Sequence, residues 1–196
     1  MTIKVRTASQ SVAKRILSEV EVGLLVRAAG NRRDRILIEV GYAGGLRVSE
    51  LVALTWSDVL PRDKDRVQLE VMGKGDRVRQ VLLPEIVSGS LLSLRGEAGR
   101  GDPVFRSQRT GGRLTERGVN HMLKVTAERA GVNPRLSAHW LRHAHASHAL
   151  DHDATLAEVQ ATLGHGNIAT TSAYLHARPD SSSGLKLDPG VFLQRG

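Results

Sequence analysis

The sequence contains no cysteine, few aromatic residues and no long apolar run. Without thiols the protein cannot form disulfides, use a thiolate nucleophile or bind a metal through sulfur. No stretch approaches the roughly 20 apolar residues that cross a bilayer. The first 22 residues also lack the apolar core and small-residue cleavage site of a signal peptide. We therefore expect a cytoplasmic protein with no membrane segment.

Positive charge is in excess, because 28 Lys and Arg residues stand against 20 Asp and Glu residues, for a formal net charge of +8. Cations that neutralise phosphates release counterions, so this excess favours polyanionic partners such as nucleic acid. Charge alone does not separate a nucleic-acid binder from another basic protein. The length of 196 residues is sufficient for one domain with a buried core.

Hydrophobic periodicity predicts a mainly helical domain with a small antiparallel β-sheet, an α+β class. Alternation predicts two strands, over residues 66–72 and 77–84, joined by a GKGD hairpin turn. A further short strand is predicted over 103–107. A Ser18–Glu21 capping box predicts a helix that ends at about Ala29, and Asn31 is the predicted cap of a second helix over 32–43. Further helices are predicted over 46–59, 85–96, 115–130, 139–152, 154–164 and 168–176.

His139 and Arg142 lie three residues apart in one of these helices, so both face the same side. This pair suits a phosphodiester, because Arg donates to two non-bridging oxygens and His supplies a further donor. An isolated pair of this kind is more often a helix cap and a surface ion pair. His165, in LGHGN, follows Arg142 by 23 residues, and Tyr174 comes nine residues later.

Two further cations stand at exposed turns of the predicted fold. Arg47 follows Gly44-Gly45 at the start of a helix, and Glu50 lies on the same helix face, where it can orient Arg47 or form an ordinary salt bridge. Lys74 stands between two glycines at the hairpin tip. There it is either solvated or able to reach a DNA groove and hold a proton for a leaving oxygen.

Tyr174 is one of only two tyrosines, and it is a candidate nucleophile. A phenol with a pKa near 10 needs adjacent cations or a base to attack at neutral pH. The alternative is that Tyr174 packs in the core of the last helix. The His-rich run over 139–152 has pairs four residues apart, a spacing that zinc accepts, but no HExxH motif. We expect no metal and no cofactor.

Taken in order, Arg47 in GLRVSEL, Lys74 in GKG, HxLRH, LGH and then Tyr174 resemble the tyrosine recombinase (phage integrase) family, Xer-type members in particular. The resemblance implies the family's catalytic-domain fold over residues 18–178. It assigns Arg47 and Arg142 to clamping the scissile phosphate, with Glu50 in support. His139 would transfer a proton, His165 would contact the phosphate, Lys74 would be the general acid and Tyr174 the nucleophile.

The implied activity is site-specific cleavage and rejoining of double-stranded DNA through a 3′-phosphotyrosyl bond, without metal or ATP. Two alternatives remain open: DNA relaxation like that of a type IB topoisomerase, and a non-catalytic DNA-binding remnant of the fold. The basic loops around Arg106, Arg109 and Arg113 are candidates for contacts with the DNA backbone.

The resemblance also divides the chain. Residues 1–17 are expected to be an N-terminal arm or linker. Full-length family members carry a helical DNA-binding domain before the catalytic domain, so this chain is either a natural minimal protein or a fragment, or that domain is supplied elsewhere. The tail, 179–196, is rich in Ser, Gly and Pro but keeps apolar residues from Leu185 to Leu193. The resemblance implies that it docks on a neighbouring subunit; the alternative is that it folds back on its own domain or is disordered. We expect self-association on DNA, as a dimer or tetramer.

Overall fold

The helices begin where the sequence supplies side-chain caps. In this computed structural model the Ser18 hydroxyl accepts from the Glu21 backbone N–H, and the Glu21 carboxylate accepts from the Ser18 N–H. Asn31 and Thr115 each accept from a backbone N–H three residues further on. These caps satisfy backbone donors that the first turn of a helix leaves unpaired. The three predicted helix starts are confirmed.

The structure describes residues 16–62, 65–73 and 78–164. Within these residues the elements, in chain order, are α1 (Glu19–Ala28), α2 (Arg32–Ala43), α3 (Val48–Ala53), β1 (Val59–Pro61), β2 (Val67–Met72), β3 (Val78–Leu82), α4 (Glu85–Leu92), α5 (Glu116–Ala130), α6 (Ala138–Asp151) and α7 (Leu156–Leu163). The predicted mainly helical class with a small antiparallel sheet is confirmed.

The sheet has β2 at its centre, antiparallel to β1 on one side and to β3 on the other. Leu69 pairs with both Val59 and Val81, and all three side chains are buried. Met72 pairs with Val78, as a hairpin over this segment requires. The predicted pairing of the two strands is therefore confirmed, whereas Lys74 lies outside the described residues.

The helix predicted over 46–59 is wrong in length, because α3 ends at Ala53. The Asp58 carboxylate accepts hydrogen bonds from the Thr55 backbone N–H and hydroxyl, both at 2.8 Å. Such local bonds to the backbone compete with helix formation and produce a turn. The chain then enters β1, a strand of three residues that the sequence pattern did not predict.

The strand predicted over 103–107 is also wrong, since this segment contains only isolated bridging pairs. Pro103 bridges Thr55, and Arg106 bridges Arg113. The Val104 N–H donates to the Leu54 carbonyl, which ties the segment to the end of α3. Proline has no N–H to continue a ladder, so pairing stays local.

The core lies among α1, α2, α5 and α6, with α1 against α5 and α2 against α6. The predicted inward positions of α5 are all buried: Val119, Met122, Leu123 and Thr126. Helix α7 packs against both α6 and β3, and α3 against α2 and α5. The start of α3, the middle of α6, the end of α7 and strand β3 therefore meet on one side of the core. None of the helices in the described part of the chain is long and apolar enough to span a membrane.

Candidate active site

Gly45 determines how closely α6 and α7 approach the turn that precedes α3. Its φ is +57°, a left-handed conformation that side-chain-bearing residues rarely adopt. A Cβ at this position would lie 2.7 Å from Leu163 Cδ2 and 2.8 Å from His145 Cδ2. Only glycine allows α6 and α7 to come this close to the turn before α3. Arg47 follows immediately, as the residue from which α3 starts.

Arg142 lies in the middle of α6, and its side chain is only 2% exposed. Its Nη1 donates to the Gly45 carbonyl at 2.7 Å, and its Nη2 donates to the Leu163 carbonyl at 2.6 Å. The guanidinium thus joins the turn before α3 to the last turn of α7. Carbonyl groups at a helix C-terminus carry partial negative charge, which favours a cation there.

Glu50, on α3, is the shared partner of the arginines at this site. Its Oε2 accepts from the Arg47 backbone N–H and its Oε1 from Arg47 Nη1, both at 2.7 Å. Arg79 Nη1 and Nη2 donate to Oε1 and Oε2, each at 2.8 Å, and Arg142 Nη1 lies 4.0 Å from Oε2. The sequence predicted the Arg47–Glu50 pair but not these further partners.

The ionisation of Glu50 follows from these partners. Burial by itself raises the pKa of this carboxyl, because the charged form is disfavoured away from water. The hydrogen bonds from Arg79 and Arg47 and the charge of Arg79 outweigh burial and lower the pKa to about 2. Glu50 is therefore an anion at every pH at which the protein would work.

Arg79 was not among the residues predicted for the site. It lies in β3, and its Nε donates to the Thr162 carbonyl of α7 at 2.7 Å, in addition to the two bonds to Glu50. The alternation of inward-facing and outward-facing residues along β3 could have identified Arg79. Arg79 lies two residues before Val81 and four before Leu83, both buried, and so shares their inward face. An arginine on an inward face requires a buried partner.

The histidines of α6 differ in burial and charge. His139 is exposed one turn before Arg142, and its ring contacts the His143 ring edge-on, with centroids 4.1 Å apart. His145 is largely buried, and burial lowers its pKa to about 4, with the positive charge of Arg142 and the electrostatic interaction with His148 acting in the same direction. A hydrogen bond with the Tyr42 backbone opposes this shift only partly. His145 is therefore neutral near pH 7.

Three of the predicted catalytic residues, Lys74, His165 and Tyr174, lie outside the described residues. Among residues 16–62, 65–73 and 78–164, Arg47, Glu50 and Arg142 come together, and His139 stands on the same helix as Arg142. No group of three or more His, Asp or Glu residues in those segments has the geometry to hold a metal ion.

The three arginines predicted to contact the DNA backbone have different surroundings. Arg106 is exposed and pairs with Asp102 at 2.8 Å. Arg109 is exposed in the turn of this loop. Arg113 donates to the carbonyls of Val52 and Ala53 at the C-terminal end of α3. Its contact with a helix end therefore gives Arg113 a structural partner in addition to its predicted role.

Comparison with known proteins identifies the class to which this fold and site belong. The model of the phage integrase family matches residues 7–180. The tyrosine recombinase XerD of Pseudomonas putida is 42% identical over 172 residues, which covers 82% of this chain and 56% of XerD. The chain belongs to the phage integrase family, and the predicted likeness to Xer-type tyrosine recombinases is confirmed.

Solved structures agree with that assignment. The crystal structure of XerA recombinase matches with a TM-score of 0.71 and 26% identity, over 92% of this chain and 66% of XerA. The catalytic domain of bacteriophage HP1 integrase has the same fold, with a TM-score of 0.64 and 24% identity, over 89% of this chain and 95% of that domain. The predicted catalytic-domain fold is confirmed. The chain spans about half the length of the curated relatives that it matches.

Proposed function

We propose that this chain is the catalytic domain of a tyrosine recombinase, which cleaves and rejoins double-stranded DNA through a 3′-phosphotyrosyl bond to Tyr174. One observation carries the proposal most strongly. Arg47 and Arg142 are far apart in sequence, yet Arg47 donates to the Glu50 carboxylate and Arg142 Nη1 lies 4.0 Å from the same carboxylate while it donates to the Gly45 carbonyl. Two guanidinium groups held close together are suited to a phosphodiester, whose two non-bridging oxygens share one negative charge.

The proposed division of roles follows from chemistry and position. Tyr174 attacks the phosphorus in line, and the P–O bond to the 5′ oxygen breaks. Lys74 donates a proton to that leaving oxygen, and His139 accepts the proton of the Tyr174 hydroxyl. Arg47, Arg142 and His165 stabilise the charge that develops on the non-bridging oxygens, as preorganised donors do in other phosphoryl transfers.

Rejoining reverses these steps. The phosphotyrosyl bond keeps the free energy of the broken phosphodiester, so a 5′-hydroxyl can reseal the strand without ATP. In this mechanism fixed cations take the part that Mg²⁺ plays in kinases, so no metal is required. The same chemistry on a single duplex would relax supercoils, as a type IB topoisomerase does.

The proposed partner is double-stranded DNA, and the proposed assembly is a dimer or a tetramer on it. The excess of positive charge supports the first proposal. XerH bound to its difH substrate and a lambda integrase dimer on a COC′ core site share the fold of this chain, which supports both proposals by fold alone. We propose that residues 18–178 are the catalytic domain, that 1–17 are an arm or linker, and that 179–196 are a tail for which docking in trans on a neighbouring subunit is one of the two alternatives.

A trapping experiment tests the proposed chemistry. The full chain is mixed at low salt with duplexes of randomised sequence, each nicked so that cleavage releases a short 5′-hydroxyl fragment and prevents resealing. We expect a protein–DNA adduct that resists denaturant, and sequencing of the trapped DNA reports any site preference. The two tyrosines provide a matched pair of variants, because Tyr174→Phe should abolish the adduct and Tyr42→Phe should retain it.

Other outcomes would replace the proposal. DNA binding without an adduct, by a wild-type chain that is folded, would indicate the non-catalytic remnant. An adduct accompanied by relaxation of supercoiled plasmid and by no recombinant product would indicate the topoisomerase-like activity. An adduct that persists in Tyr174→Phe would assign the nucleophile elsewhere.

A further inference from the structure

Arg79 is held by more partners than a surface ion pair provides. Its two terminal nitrogens donate to the two oxygens of Glu50, and its Nε donates to the Thr162 carbonyl. Its side chain is 11% exposed, against 40% for Arg47. Arg79 is therefore more enclosed than Arg47, and each of its three side-chain nitrogens already donates to Glu50 or to the Thr162 carbonyl.

The charges of the cluster show what Arg79 contributes. Arg47 and Glu50 alone would form a neutral pair, with the positive charge of Arg47 compensated by the carboxylate. Arg79 supplies a second cation to the same carboxylate, so Arg47, Glu50 and Arg79 together carry a net charge of +1. Because buried charges are weakly screened, this surplus remains available to a bound anion.

The position of Arg79 also links the elements that present the other candidate residues. It lies in β3, five residues after Lys74. Its Cδ lies 2.9 Å from where a Cβ of Gly164 would be, and Gly164 has a φ of +64°. Gly164 directly precedes His165. The Arg79 side chain thus packs on the end of α7 while it fixes the carboxylate that holds Arg47.

We propose that Arg79 is a positioning residue for strand cleavage, which neutralises and fixes Glu50 so that Arg47 presents an uncompensated positive charge to the scissile phosphate. The proposal rests on the proposed function of the site. Arg79 acts through Glu50 and Arg47 and does not contact the reacting atoms. Its loss should therefore affect the rate of cleavage more than the affinity for DNA.

The test compares Arg79→Met with Arg35→Met in the full chain. Arg35 pairs with Glu39 at 2.9 Å on α2, so its substitution also removes one positive charge from an arginine–glutamate pair, but away from the site. Affinity for the nicked duplex is measured in a Tyr174→Phe background, and the rate of adduct formation is measured at saturating DNA. We expect Arg79→Met to cleave about 10- to 100-fold more slowly than Arg35→Met, with similar affinity, as for other residues that orient a reacting group. Equal cleavage rates would overturn the proposal.

The leaving group distinguishes two routes by which Arg79 could act. A 5′-bridging sulfur leaves as a thiolate and needs no proton, so it repairs defects in proton donation by Lys74. It cannot repair a loss of charge at the non-bridging oxygens. We expect the cleavage defect of Arg79→Met to persist on this substrate. Full rescue by sulfur would mean that Arg79 acts through the hairpin, and the proposed route through Arg47 would be wrong.

Two further measurements keep the test decisive. If Arg79→Met does not fold, Arg79→Lys takes its place, and we expect slower cleavage because an ammonium cannot donate to both carboxylate oxygens and the Thr162 carbonyl. If the wild-type chain forms no adduct, the proposed function fails by itself. The effect of Arg79 on Glu50 is then measured directly, by following the titration of the Glu50 carboxyl with carbon-13 NMR. The midpoint pH of that titration should rise in either variant. An unchanged midpoint would overturn the inference.

Discussion

Two arginine–carboxylate groups in this molecule differ in depth and in what they connect. Glu50 has a side chain that is 4% exposed, and it joins α3 to β3 through Arg79. Arg106 and Asp102 have side chains that are 46% and 43% exposed, and their pair lies within one loop. The first group fixes geometry and charge because Glu50 and Arg79 are largely enclosed, so water cannot readily replace a partner that either of them loses. The second can exchange its partner for water or for another anion at little cost.

The two groups should differ most in the unfolding free energy that is lost when their carboxylate is removed. Glu50→Ala leaves Arg47, Arg79 and Arg142 close together without their shared anion. Loss of one partner from a buried ion pair costs about 3–5 kcal/mol, so the free energy of unfolding should fall by that amount. Asp102→Ala should cost less than about 1 kcal/mol. Urea unfolding followed by circular dichroism measures both, and equal losses would show that the Glu50 group is not a buried network in solution.

Glycine substitutions compare the packing of the same two regions. Gly45→Ala places a methyl group against Leu163 and His145, and overpacking of this kind costs about 1–3 kcal/mol in addition to backbone strain. Gly111, in the loop of Arg106, also has a positive φ, +70°, but no atom within 4 Å of an added Cβ. Gly111→Ala should therefore show only the backbone cost, about 1–2 kcal/mol. If thermal unfolding shows the two alanine variants to be equally stable, the close approach at Gly45 does not exist in solution.

Acid should reduce the stability that the Glu50 carboxylate contributes to the fold. The pKa of Glu50 in the folded chain is about 2, below the value of 4.5 expected when the chain is unfolded. The carboxylate therefore contributes stability above pH 4.5 that is lost progressively as the pH falls towards 2. By proton linkage this loss is about 1 kcal/mol at pH 3.5. Glu50→Gln should remove this part of the pH dependence and Asp102→Asn should retain it; the reverse pattern in urea titrations would refute the assignment.

The sequence predicted those features of the fold that neighbouring residues determine. Caps such as Ser18 and Asn31 act within one helical turn, and the period of α5 identifies its buried face without knowledge of any partner. The sequence-based predictions failed where a local turn competes with a helix or where a strand is very short. Thr55 and Asp58 form a turn that ends α3 early, and β1 has only three residues, too few to establish an alternating pattern.

The site was predictable as a set of residues but not as a structure. Arg47, Glu50, His139 and Arg142 could be selected from motif order. Nothing local indicates that Arg142 donates to carbonyls of the Gly45 turn and the α7 end, because both partners are distant in sequence. Arg79 was missed although its inward position in β3 was visible as alternation. An unexplained charge on an inward strand face therefore deserves the same weight as a motif residue.

The smallest expected effect concerns the exposed pair and tests the predicted DNA contact of Arg106. Asp102→Asn frees Arg106 from its carboxylate, so DNA affinity at low salt should rise slightly. Arg106→Gln should lower affinity and reduce the slope of log affinity against log salt by about 1, the value for one phosphate contact. Fluorescence anisotropy with the Tyr174→Phe chain measures both without cleavage. Arg113→Gln provides the contrast, because its donors hold the end of α3 and its loss should also lower stability. If Arg106→Gln leaves the salt slope unchanged, this loop does not contact the DNA backbone.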